Sequence, residues 1–319
     1  MSESKSLPAG TRRRFLKQAG SLLAVPGFAS MSTAVWAAPT PSSSAESAVA
    51  RFYATLTEAQ RKQIVLPFDH ELRRKIHANW HVTEPTLGDD FYTEAQRKLV
   101  DEIVRGVTSP EGYERVILQT RDDDGGLEGY SVALFGTPES GRFEWELTGR
   151  HLTLRADGNS VDKVAFGGPL VYGHGATDPA KNLFHGQTKQ VNEVFRALDP
   201  ARASRALVEK APAEAEVGVQ GSTGRFAGIP LTALSSDQKT LVENTLKSLL
   251  SLYRKEDVDE VFDILGKSGG IDALHLAFYQ QGDLNEDREW DIWRVEGPSL
   301  VWHFRGAPHV HAYLNVQTA

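Results

Sequence analysis

One pattern occurs twice in this chain, at residues 145–158 and 293–306. Each copy opens on Trp, has Gly four residues later, Leu three beyond that and a closing Gly, with apolar residues matching between (Trp145, Gly149, Leu152, Gly158; Trp293, Gly297, Leu300, Gly306). Alternating apolar positions on both sides of a Gly read as two strands joined by a tight turn. The second copy continues into His309-Val310-His311. A chain that repeats a hairpin this way is expected to fold as two related halves, about 48–165 and 230–316, with imidazoles near matching strands.

The flanking segments fill in those halves. Thr57 with Gln60, Thr93 with Gln96 and Ser235 with Gln238 are three capping boxes, each placing a hydroxyl at a helix start and a returning amide three residues on. They predict helices ending by Pro67, running through Leu99 and Ile103 to Gly106, and running through Leu241 and Leu249 to Tyr253. Apolar spacing adds helices at 189–198 and 201–209. Strands are expected at 130–135, 142–148 and 151–156, then at 274–280, 289–295, 300–305 and 310–316. Helices followed by an antiparallel meander, twice, make an α+β protein with two pseudo-repeated halves, its helices packed outside the sheets. Between them lies a segment rich in Gly and Pro, 167–179, expected to be a long loop.

The N-terminal 37 residues read as an export address. Arg12-Arg13-Arg14-Phe15-Leu16-Lys17, a modest apolar run and small residues ending at Ala37 are the layout of a twin-arginine signal. The partner implied is the twin-arginine translocase, and the destination is the periplasm or the outside of a bacterial cell. Residues 38–47, rich in Ser, Pro and Ala, read as a linker, and 48–316 as one domain. No later run reaches the roughly 20 apolar residues of a membrane span.

Composition narrows the chemistry. The chain has no Cys, which excludes disulfides, thiolate zinc sites, iron–sulfur clusters and blue copper. Its formal net charge is −7 and its basic residues are scattered, which argues against nucleic acid as a partner. No Gly-x-Ser-x-Gly elbow surrounds Ser131, Ser140 or Ser299, and the glycines of 218–224 lack the Lys-Ser/Thr ending of a phosphate loop. Asp122-Asp123-Asp124 before Gly125 lacks the ligand spacing of a calcium loop and reads as a solvated turn.

The histidines remain. His309 and His311 stand at i and i+2, so a strand would point both to one face and both could reach one ion. The competing reading is an edge strand with two hydrogen-bonded imidazoles. His151, beside Gly149 in the first hairpin, is the best third ligand. His174 and His185, in and after the Gly-rich segment, are possible additional ligands or a general base. His303 should face away from whatever Trp302 faces. Neutral imidazoles suit copper, iron or zinc. The function expected is an exported metal-binding protein, an oxidoreductase or a metal-dependent hydrolase acting on a small molecule. The alternative is a non-catalytic binding module.

Several blocks in order resemble a family of secreted proteins grouped as domain of unknown function 3500. They are residues 91–97 with 109–113, Leu134-Phe135-Gly136-Thr137-Pro138 followed by Trp145 and 149–152, the Gly-rich segment with the helix behind it, and Gly297-Pro298 with His309-Val310-His311. The resemblance runs from about Phe52 to His311. It implies no activity, but it does imply that the two His-bearing hairpins matter. Members usually show Gly-His-His-Leu where this chain has Gly149-Arg150-His151-Leu152.

Overall fold

The computed structural model describes residues 38–283 and 287–318. The signal at 1–37 lies outside the described residues, as do positions 284–286 of the long turn expected before the strand at 289–295. The protein is α+β: among the described residues, eight helices accompany one 11-stranded, mostly antiparallel sheet.

In chain order the first part holds α1 (Ser44–Thr55), α2 (Glu58–Ile64), β1 (Val65–Leu66), α3 (Glu94–Val107), α4 (Pro110–Asp124), β2 (Ser131–Thr137), β3 (Arg142–Gly149), β4 (Leu152–Ala156) and β5 (Leu170–His174). The second part holds α5 (His185–Arg196), α6 (Pro200–Ala206), β6 (Leu207–Val208), β7 (Ile229–Pro230), α7 (Ser236–Leu250), α8 (Lys255–Lys267), β8 (His275–Tyr279), β9 (Ile292–Gly297), β10 (Leu300–Arg305) and β11 (Val310–Val316). The strands lie in the order β1-β2-β3-β4-β5-β11-β10-β9-β8-β6, with β7 beside β8. β5 and β11 form the central seam, antiparallel, with Val310 opposite His174 and Leu314 opposite Leu170.

All three capping boxes form, with both hydrogen bonds of each in place. The amides of Gln60 and Gln96 also bond each other, at 3.0 and 3.1 Å, so two helix starts share one buried polar contact. The hairpins turn at the glycines: Gly149 pairs Leu152 and Gly297 pairs Leu300, leaving two residues in each turn.

Three expectations are corrected. Helix α1 begins at Ser44, inside the segment read as linker, because Glu46 is buried against Arg254 and Ala45 belongs to the core. Helices α4 and α8 had not been expected; α4 swallows the acidic run, so Asp122–Asp124 close a helix at left-handed Gly125 rather than a solvated turn. The Gly-rich segment is not a continuous loop: its residues Leu170–His174 are the buried strand β5. The helices do pack outside the sheet, against one of its faces.

Strand alternation separates those faces. Toward the helices point Val132, Trp145, Leu154, Tyr172, Trp302 and Leu314, part of one large core. Toward the other side point Ala133, Val171, Val301 and Tyr313, covered by irregular chain around Ile76, Ala78, Val82, Val217 and Val219. That second face also buries charge. Glu144 takes Arg73 at 2.9 Å and pairs with Arg155, which stands 3.2 Å from Glu146. His303 is on this face and Trp302 on the helical one, as alternation requires.

Several buried carboxyls are held protonated. Burial pushes Glu146 up to about 8; burial and the Glu144 charge push Asp157 to about 7; burial, Asp157 and Asp257 push Glu260 to about 8. In the unfolded chain these groups titrate near 4. The folded state therefore binds more protons between about pH 4 and 8, and stability contributed by these groups is full at the acid end and lost as pH rises through 7–8. Below about pH 6.5 His303, His309, His311 and His185, whose folded pKa values are lowered, oppose this trend. Above it, urea unfolding at fixed temperature should show stability falling from pH 7 to pH 9, and Glu260→Gln should flatten that slope.

Candidate metal centre

Three imidazoles from two distant hairpins meet at one end of the seam. His151 lies in the β3–β4 turn, His309 just before β11, and His311 within it. One ring nitrogen from each lies within 4.8 Å of the other two. The ring centroids stand 5.0, 4.8 and 4.7 Å apart, and His309 Nε2 is 2.9 Å from His311 Nε2.

Register explains the meeting. Leu152 faces Tyr172, which faces Ala312, so His151, Gly173 and His311 fall in the next row across three strands. The two histidines are separated by a strand whose residue is Gly173, and a side chain there would start 2.2 Å from the Val310 carbonyl oxygen and 3.3 Å from His151 Cβ. The missing Cβ leaves the space in which the rings meet. His151 itself has φ 58, the left-handed region that costs a non-Gly residue on the order of 1–3 kcal/mol. Its N–H donates to the Ala78 carbonyl at 2.6 Å, and Asn79 bridges Arg150, which holds the turn from the covering side.

Two carboxylates orient the rings. Asp123 Oδ2 lies 2.8 Å from His151 Nδ1 and accepts from Gln119 at 2.9 Å, while Oδ1 accepts the Gly175 N–H at 2.8 Å. Glu214 Oε2 lies 2.8 Å from His311 Nδ1 and accepts from Tyr313 at 3.2 Å; Oε1 meets Arg305 Nη1 at 2.7 Å. With Nδ1 of both rings turned to carboxylates, Nε2 of both is left for the shared space. Burial alone would raise both acids. Hydrogen bonds from His151, Gln119 and Gly175 lower Asp123 instead, and His311 with Arg305 brings Glu214 down to about 2. Burial lowers the His311 ring against the pull of Glu214. Burial, then His311, His151, Arg305 and Arg150, lowers His309 to about 4. These two imidazoles are neutral at pH 7 and carry the lone pairs a cation needs.

His174 and His185 lie outside this group. His174 closes β5 opposite Val310, on the helical face, while His309 and His311 point to the other face. Its ring accepts the Leu183 N–H at 3.2 Å and stands 3.7 Å from Asp122. His185 is the first residue of α5, where burial and Lys189 lower its pKa. Asp123 and Glu214 were not singled out in the sequence. Asp123 was hidden in an acidic run whose helical context had been missed, and Glu214 sits in irregular chain with no periodicity to mark its direction.

The family model described as protein of unknown function (DUF3500) matches residues 39–316, and the chain belongs to that family. No curated protein and no solved structure matches the chain.

Proton titration followed by NMR on the metal-free protein should find the His309 ring changing charge near pH 4 instead of 6.5. A midpoint above 6 would mean that the ring is solvated and that the three imidazoles do not share a desolvated space.

Proposed function

We propose that this protein is an exported metalloprotein, periplasmic or secreted, that holds one ion between His151, His309 and His311. The twin-arginine layout of 11–37 supports export through the twin-arginine translocase, a route that carries proteins already folded. No helix among the described residues is long and apolar enough to cross a membrane.

The metal reading rests on one arrangement: three ring nitrogens within 4.8 Å of one another, two of the rings anchored at Nδ1 by carboxylates, the buried Asp123 and the half-buried Glu214. Metal-binding histidines usually carry such partners, which select the tautomer and raise ligand basicity. Without a cation, the Nε2 lone pairs of His151 and His311 face the same space, and the His309 ring, 2.9 Å from His311 Nε2, has one N–H to offer them. A cation resolves that repulsion. The set is nitrogen-only and neutral, which suits copper, iron or zinc over magnesium or calcium.

Three protein ligands leave a position for a small-molecule substrate, and this favours an enzyme over a storage site. Zinc there would supply Lewis-acid chemistry; copper or iron would supply electron transfer. The protein's own contribution is to hold the imidazoles rigid, keep His309 and His311 uncharged, and place Arg150 and Arg305 close enough for their charge to reach His309.

Mass spectrometry of the protein purified from the periplasm should find about one copper, iron or zinc per chain, absent after His309→Ala with His311→Ala. Asp123→Asn and Glu214→Gln should keep the fold and weaken metal affinity by about 10–100-fold each. A parent chain that holds no metal, and takes up none when these ions are supplied, would leave the imidazoles as hydrogen-bonding groups of a non-catalytic binding module.

A further inference from the structure

The irregularly covered face of the sheet carries a second unusual feature, away from the three imidazoles. Arg294, on β9, is 5% exposed, and its Nη2 has no hydrogen-bond partner among the described residues. Its Nε reaches His303 Nδ1 at 3.3 Å, and its Nη1 lies 3.8 Å from Glu296 Oε2, beyond hydrogen-bonding distance. Glu296 is itself engaged by Gln220 at 2.8 Å. Tyr279, on β8 and 1% exposed, also has a buried hydroxyl with no partner among the described residues.

A buried guanidinium is costly unless its protons are met, since it cannot shed its charge. Burial does lower the Arg294 pKa, which marks the desolvation that its neighbours leave uncompensated. His303 gives no help: burial, Arg294 and Arg305 lower its pKa to about 3, so at pH 7 it is a neutral acceptor.

These groups line a cleft of about 620 Å³. Its wall also holds Lys210, Arg225, Glu216 and Glu296. Lys210 and Arg225 are exposed, and among the described residues neither cation is within salt-bridge distance of a carboxylate. Three cations thus face two carboxylates, one of which is already occupied by Gln220. The volume suits a small metabolite rather than a macromolecule.

We propose that this cleft binds a small oxyanion, a carboxylate or a phosphate, with the anionic group directed to Arg294 and Tyr279 and with Lys210 and Arg225 drawing it in. An oxyanion supplies acceptor lone pairs to which the guanidinium N–H groups and the phenolic O–H can donate. The site is separate from the imidazole cluster: β10 lies between β9 and β11. The two are joined through the covering chain, in which Glu214 bonds His311 and Glu216, two residues on, lines the cleft.

The test uses the full mature chain, with glutarate and inorganic phosphate as probes, read by thermal melting and calorimetry. At least one probe should bind saturably and raise Tm by about 5 °C at roughly 100 times its Kd. Which of the two binds distinguishes a carboxylate from a phosphate site. Arg225→Ala should weaken that binding tenfold or more, and Tyr279→Phe should weaken it with the fold intact. Arg294→Met should abolish it and leave the probe-free Tm unchanged or higher, as expected for a cation kept for a ligand at the expense of stability. The proposal is overturned if neither probe binds. It is equally overturned if binding survives Arg225→Ala and Tyr279→Phe unchanged, or if Arg294→Met keeps the binding whatever its effect on the probe-free Tm.

Discussion

The pairing of β5 with β11 is the contact on which the rest of the molecule depends. It is antiparallel, it lies at the middle of the sheet, and it joins the last strand of the first part of the chain to the last strand of the second. On one side the path runs out through β4, β3 and β2 to a short parallel β1. On the other it runs out through β10, β9 and β8 to a short parallel β6. Without the seam there would be two meanders, each with an open edge and a half-covered apolar face. With it there is one core, in which Trp145, Trp293 and Trp302 are all fully buried.

The same register builds the imidazole cluster. A shift of one residue between β5 and β11 would carry the His pair to the helical face and place a side chain, rather than Gly173, between the hairpins. His174 illustrates the rule from the other direction. It is near His311 in space and has the right chemistry, yet the pleat turns it toward the helices, where its ring meets the Leu183 N–H. Nearness along a strand is worth little without the correct parity.

The two faces of the sheet divide the protein's work. The helical face is nearly all apolar and supplies cohesion. The irregularly covered face buries Glu144, Glu146, Arg155, Arg294 and His303 and half-buries His311, an expensive arrangement that apolar packing alone would never select. Irregular chain suits such a face, because it can offer carbonyls and carboxylates at positions a helix cannot. Arg155 meets the Pro169 and Arg73 carbonyls, His151 meets the Ala78 carbonyl, and Glu214 reaches both His311 and Arg305 from a segment without regular structure.

Local signals were legible in the amino-acid order. Capping boxes at Thr57, Thr93 and Ser235, turns at Gly149 and Gly297, the alternation of Trp302 with His303, and the shared face of His309 and His311 each depend on neighbours within a few residues. That is the range over which backbone periodicity and hydrogen-bonding side chains act. β5 was obscured because its short apolar run is flanked by Gly and Pro, and α4 because an acidic C-terminal turn resembles a solvated loop. What joins distant residues was decided only by tertiary structure: the seam, the row His151–Gly173–His311, and the carboxylates of Asp123 and Glu214 behind the rings. The physical reason is that sheet register is set by summed packing over the whole core, and a side chain's partner across 97 or 158 residues leaves no mark in its own surroundings.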